Sequence, residues 1–261
     1  MIFIIELKSN SKVGFTEYNK CFTNKSLIAR HLSNFSVSSI VKGDTFVVST
    51  NCPLFHYILK NKQNLQQLKK LELIDENSSP RNLSFFLYST ILRSYFQPLP
   101  IIQEEVERRL VNTTGKYIIG MHIRCGNPMA DFKDQSSFLS VKDIATFNKC
   151  MKTKINQSDS VIVIASDSTK AKLMIQNYNP SKEVYYDSSK SQHTMTRYFN
   201  KMSLSSLQSS FSEMIMLSKA DVLVGTARST FSLTAGAFKG EIPYLVQKGI
   251  KSCSIPKVVS Y

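Results

Sequence analysis

His122 and Arg124 stand two positions apart and are followed by Gly126, a spacing that can serve a phosphate. A guanidinium grips a phosphate with two parallel N–H donors, a geometry that lysine lacks. The glycine lets the backbone turn sharply or approach a ligand closely. A second cluster is Ser166-Asp167, where a carboxylate can accept hydrogen bonds from a base or ribose. The third is Arg228-Ser229-Thr230-Phe231. It joins a cation and two hydroxyls to the expected start of a helix, whose free N–H groups and dipole favour an anion. Plainer roles exist for each. Arg124 can be an ion-pair residue, His122 a hydrogen-bonded core residue, and Asp167, Ser229 or Thr230 a helix cap.

The elements that must position these residues follow from hydrophobic pattern. The runs 117–121, 161–165 and 221–225 are nearly all apolar, as expected of strands buried on both faces of a parallel sheet. Each ends at one of the three clusters. Ligands of open α/β sheets bind beyond such carboxyl ends, so the clusters should line one site. Helices are expected at 140–152, 168–177, 204–219 and from Ser229 through Phe238, with further strands at 183–186 and 244–246. The polar stretch 187–203, with His193 and Arg197, reads as a loop. Upstream, strands are expected at 1–7 and 45–49. Helices are expected near 24–33, after Asn51-Pro53, over 82–95 with Leu83, Phe86, Leu87, Thr90 and Ile91 on one face, and over 101–111. The expected division is a small α/β domain over 1–112 and a larger one over 113–261.

Composition narrows the function classes. With 261 residues and 42% hydrophobic content, the chain can build a real core. No apolar window approaches the roughly 20 residues of a membrane span, and no signal peptide is visible. The five cysteines are widely spaced without a CxxC pair, which argues against structural zinc. A net charge of +14 suits anionic ligands. Its Lys and Arg are spread along the chain rather than gathered in a stripe, so nucleic acid is not the expected partner. Asn-x-Ser/Thr sequons at Asn24, Asn34, Asn77, Asn82, Asn112 and Asn156 suit passage through a secretory lumen.

GMHIRCG, VIVIASDS and SEMIMLSKADVLVGTARSTFSLTAGAF, in this order, resemble the three motifs of the GDP-fucose-dependent fucosyltransferases. That superfamily includes the α1,2-, α1,6- and protein O-fucosyltransferases. FQPLPIIQEEVERRL resembles the segment preceding the first motif. The likeness covers roughly 95–239. It implies two Rossmann-like domains facing across a cleft (GT-B type), the N-terminal one small and on the acceptor side. It also implies transfer of fucose from GDP-fucose to a glycan or protein hydroxyl with inversion, without a metal or other cofactor, in the lumen of the Golgi or endoplasmic reticulum. Carried over by residue, Arg124 meets the β-phosphate and assists leaving-group departure. His122 contacts the nucleotide, Asp167 the guanine, and Ser229, Thr230 and Phe231 the phosphate end. Many relatives carry HxRRGD where this chain has Cys125 and Asn127. The neutral pair weakens the anion site and removes a carboxylate. The alternatives are an inactive GDP-sugar- or glycan-binding homologue and, from another class, a basic nucleic-acid-binding protein. The acidic loop residues Asp131 and Asp134 are candidates for a catalytic base.

Overall fold

A computed structural model describes residues 2–5, 46–49, 59, 61–74, 82–132, 134, 136–155, 158–187 and 204–256. The helices expected near 24–33 and after Asn51-Pro53, and the stretch containing His193 and Arg197, lie outside them. The chain divides into two compact units, Met1–Ile91 with Lys257–Tyr261, and Leu92–Pro256.

In the first unit, β1 (Ile2–Ile5) pairs antiparallel with β2 (Phe46–Ser49). Helix α1 (Lys62–Lys70) is built largely of Lys, Gln and Leu, all good helix formers. Asn61 caps it, its Oδ1 accepting from the N–H groups of Gln63 and Asn64 at 2.9 and 3.2 Å. The sequence reading assigned no element there. Helix α2 (Leu83–Tyr95) crosses the boundary between the units. Its burial departs from the expected face: Phe85, Tyr88 and Leu92 are buried along with Leu83 and Leu87, while Phe86, Thr90 and Ile91 are only half-buried.

The second unit contains α3 (Pro100–Leu110), β3 (Tyr117–Ile123), α4 (Val141–Cys150), β4 (Ser160–Ser166), α5 (Thr169–Tyr178) and β5 (Val184–Tyr186). It continues with α6 (Leu204–Ser218), β6 (Val222–Thr226), α7 (Thr230–Lys239), β7 (Tyr244–Val246) and β8 (Cys253–Ser254). The contact division falls at Ile91/Leu92, one helix earlier than the expected 112/113. The reason is that α3 packs on α6, with Ile102 and Val106 against Ile215 and Met216.

Six strands form one sheet in the order β5-β4-β3-β6-β7-β8, parallel except for β8. Chain order runs outward from β3 through β4 to β5, then restarts beside β3 with β6. The junction of β3 and β6 is therefore the topological switch point, beyond whose carboxyl ends such sheets bind ligands. On one face Ile119, Met121, Ile123, Ile162, Ile164 and Val224 pack with Ile144 and Phe147 of α4 and Ala171 and Ile175 of α5. On the other, Val163, Ala165 and Leu223 meet α3, α6 and α7. Each wholly buried Ile or Phe contributes about 2 kcal/mol by leaving water. Cys150 at the end of α4 forms a disulfide with Cys253 of β8, its Cα atoms 5.6 Å apart. This pairing fastens the short edge strand to the helical layer. Among the described residues no helix is long and apolar enough to cross a membrane.

Candidate active site

The three clusters meet at the switch point. In the ladder, His122 pairs with Ala165 of β4 on one side and Gly225 of β6 on the other. Beyond it, Thr226 Oγ1 donates to the carbonyl of His122 at 3.1 Å and accepts from the N–H of Arg124 at 2.9 Å. One side chain thus joins the tips of β3 and β6 where the backbone ladder ends. Sequence reasoning missed Thr226, although its place at the end of an apolar run marks it as a strand-tip residue.

Arg124 leaves this junction with its side chain 22% exposed. Its Nη2 donates to Asp134 Oδ2, and its Nη1 lies 3.2 Å from Asp167 Oδ2. The guanidinium carbon also lies 5.3 and 5.5 Å from the ring centres of Phe132 and Phe138, close enough for attraction to the ring faces. Arg124 is therefore oriented by two carboxylates and two aromatic rings. The ion-pair role left open by the sequence is present in full.

Asp167 is buried, and both its oxygens serve the loop after β3. Oδ1 accepts from the N–H of Cys125 at 2.7 Å, and Oδ2 from that of Gly126 at 2.9 Å. Burial raises its pKa, against the lowering effect of these amides and Arg124. It is not the cap of α5. Ser168 supplies that cap, its Oγ accepting from Ala171 N–H at 3.2 Å, while Asp131 accepts from Thr169 N–H and Oγ. The two acidic candidates for a base are thus both engaged, Asp131 at the start of α5 and Asp134 on Arg124.

Gly126 has φ 66°, and a Cβ there would lie 2.2 Å from the carbonyl oxygen of Ser136. Its glycine is required by the turn and by the close approach of 136–138. Cys125 is wholly buried, and burial pushes its thiol up to about 12. It stays protonated and inert.

The third cluster lies across the switch point. Ser229 occupies the N-cap position of α7 but makes no side-chain capping bond. Arg228, exposed, adopts a left-handed φ of 65°. Such strain in a non-glycine residue gathers at functional sites. Thr230 is exposed, and Phe231 stacks on the imidazole of His122, ring centres 4.6 Å apart at 21°. His122 itself is buried, and burial, with Arg124 nearby, lowers its pKa to about 3. The ring is neutral at physiological pH. Its Nδ1 lies 2.6 Å from Ser232 Oγ, which also accepts from Thr226 N–H at 3.0 Å.

No family model and no curated protein matches the sequence, but solved structures match the fold. FUT1 of Arabidopsis thaliana, as a mutant in complex with GDP, superposes with a TM-score of 0.52 at 15% identity, over 76% of this chain and 44% of that one. POFUT1 in complex with GDP-fucose gives 0.42 at 13% identity, over 62% and 48%. NodZ α-1,6-fucosyltransferase co-crystallized with GDP gives 0.39 at 13%, over 67% and 57%. The chain spans about half the length of these proteins. Its structural neighbours are GDP-fucose fucosyltransferases, the family its motifs resemble. At this identity the shared property is the fold.

Proposed function

We propose that the chain is a glycosyltransferase that moves fucose from GDP-fucose to a hydroxyl of a glycan or protein, with inversion. The observation that carries this reading is the meeting of three motif ends at one switch point. Arg124 touches Asp167, and His122 stacks on Phe231 at the start of α7. In the reaction the acceptor oxygen attacks the anomeric carbon as the bond from that carbon to the β-phosphate oxygen breaks. GDP departs with the electron pair, and the hydroxyl proton is released. Arg124, fixed by its partners, offsets charge developing on the leaving oxygen. The first-turn N–H groups of α7 and the Arg228 cation meet the diphosphate, which makes a metal unnecessary. In this reading His122 contacts the nucleotide. Asp167 acts by shaping the loop at Gly126, beside any contact to guanine.

The reading extends to a GT-B pair in which the smaller N-terminal domain serves the acceptor. It also extends to a secretory lumen, supported by the Cys150–Cys253 disulfide, since such bonds persist in oxidising compartments. Calorimetric titration with GDP in the presence of EDTA tests the donor site, and GDP release from GDP-fucose with glycan acceptors tests the chemistry. Binding and release support the proposal. Binding without release at any acceptor identifies an inactive homologue. A strict need for magnesium or manganese indicates another transferase class. Retention of nucleic acid at moderate salt in place of GDP overturns the reading.

A further inference from the structure

Ser232 is wholly buried on α7, and its hydroxyl has two neighbours. One is Thr226 N–H, 3.0 Å away, which can only donate. The other is His122 Nδ1, at 2.6 Å. The hydroxyl proton therefore has one acceptor among the described residues, Nδ1. Were Nδ1 protonated instead, two donors would face one oxygen and the Ser232 proton would be left without a partner. A buried polar group so stranded costs about 1–3 kcal/mol. Space for the contact is made by Gly225, where a Cβ would come within 2.6 Å of Ser232 Cβ and Oγ.

From this geometry we propose that Ser232 is a positioning residue that fixes His122 as the Nε2–H tautomer, making it a neutral hydrogen-bond donor for an acceptor atom of the bound ligand. His122 as a residue is 5% exposed, and its Nε2 has no protein partner among the described residues. Nε2 is not among the fully buried, unpaired atoms of the described residues, so this N–H opens to solvent and is available to a ligand acceptor, such as a carbonyl or phosphate oxygen or an aromatic nitrogen. Phe231, stacked on the ring, holds its plane. That the ligand is GDP rests on the function proposed above, whereas the tautomer is a property of the nucleotide-free protein.

Two-bond ¹H–¹⁵N correlation spectra of ¹⁵N-histidine-labelled protein read the tautomer directly. The chain has four histidines, and loss of one signal set in His122→Gln assigns the ring. The wild-type protein should show the Nε2–H tautomer at pH 7 without nucleotide. Ser232→Ala should shift the ring to a mixture or to the Nδ1–H form and weaken GDP binding about three- to tenfold, the scale of one neutral hydrogen bond. An Nδ1–H signal in the wild type, or an unchanged tautomer in Ser232→Ala, overturns the inference whether or not GDP binds. If Ser232→Ala fails to fold, the wild-type spectrum alone decides. An Nε2–H tautomer in a protein that does not bind GDP leaves Ser232's role standing and removes the proposed function instead.

Discussion

Arg124 Nη1 lies 3.2 Å from Asp167 Oδ2 while its Nη2 is bonded to Asp134. The guanidinium proposed to meet a diphosphate is thus already offset by two carboxylates, each at most 5% exposed. A strand-tip arginine facing a ligand would be expected to matter little to the fold; this one holds two buried acids. Arg124→Ala should therefore destabilise the protein by about 3 kcal/mol, the scale of leaving buried charge without its partner, and weaken GDP binding. Arg124→Lys retains the charge and should lose much less stability. Without the planar fork its turnover should fall about a hundredfold or more. Denaturant midpoints beside transfer rates check both. Turnover in Arg124→Lys equal to the parent's would end the leaving-group role.

Asp134 is the more sharply testable of the two acids, because it holds one loop amide, Ser136 N–H at 3.0 Å on Oδ1, and gives its Oδ2 to Arg124. Asp134→Asn removes one negative charge beside the proposed diphosphate and loosens the hold on Arg124. GDP affinity should rise severalfold while turnover falls, since attraction improves as orientation is lost. Titration and steady-state kinetics on one preparation would show the split. A parallel loss of both would make Asp134 a fold residue only.

The strands were legible because β3, β4 and β6 are nearly continuous apolar runs, and burial on both faces demands that pattern. Convergence of His122, Asp167 and Ser229 then followed from parallel order alone. What Asp167 does was not legible. Its partners are the backbone amides of Cys125 and Gly126, more than forty residues earlier, and no local pattern marks a carboxylate that will bind a distant loop. Ser232 was hidden for a related reason. A serine in the first turn of a helix reads as an ordinary helix-start residue, and its duty appears only when His122 and Thr226 arrive on two other strands. The pairing of Cys150 with Cys253 joins residues 103 positions apart, beyond anything cysteine spacing could specify.

Arg228 carries a left-handed φ of 65° at the turn before α7. An L-residue pays roughly 1–2 kcal/mol for that conformation, which glycine adopts freely. Arg228→Gly should raise stability by up to about 1 kcal/mol after the entropy of glycine in the unfolded chain is counted, and should weaken GDP binding by removing an exposed cation. Arg228→Ala should weaken binding similarly without the gain in stability. Thermal melts and GDP titrations of the pair check this. Equal melting of the two variants would mean that the turn stores no strain.

The pH dependence of stability turns on the buried His122 and the half-buried Glu213, with opposite signs. His122 has a folded pKa near 3 against an ordinary 6.5, because burial disfavours its charged form. Between those values the unfolded chain takes up a proton that the folded one refuses, so stability rises with pH and levels above 6.5. Glu213 on α6 runs the other way. Burial raises it from 4.5 to about 7, the charges of Lys172 and Arg109 lowering it and that of Asp187 raising it. From 4.5 to 7 the folded protein keeps a proton that the unfolded chain has lost, so stability falls as pH rises. The two slopes, each at most about 1.4 kcal/mol per pH unit, oppose one another from pH 4.5 to 6.5. The parent should be nearly flat there. Below 4.5 it should lose stability quickly, as His122 is joined by Glu105, which hydrogen bonding from Arg108 and Arg109 lowers to about 2. Glu213→Gln removes one slope and should make stability climb from pH 4.5 to 6.5, whereas His122→Gln should make it fall over the same range. Urea midpoints measured every half unit of pH read both. Profiles of the two variants that run parallel to the parent would show that the fold perturbs neither group.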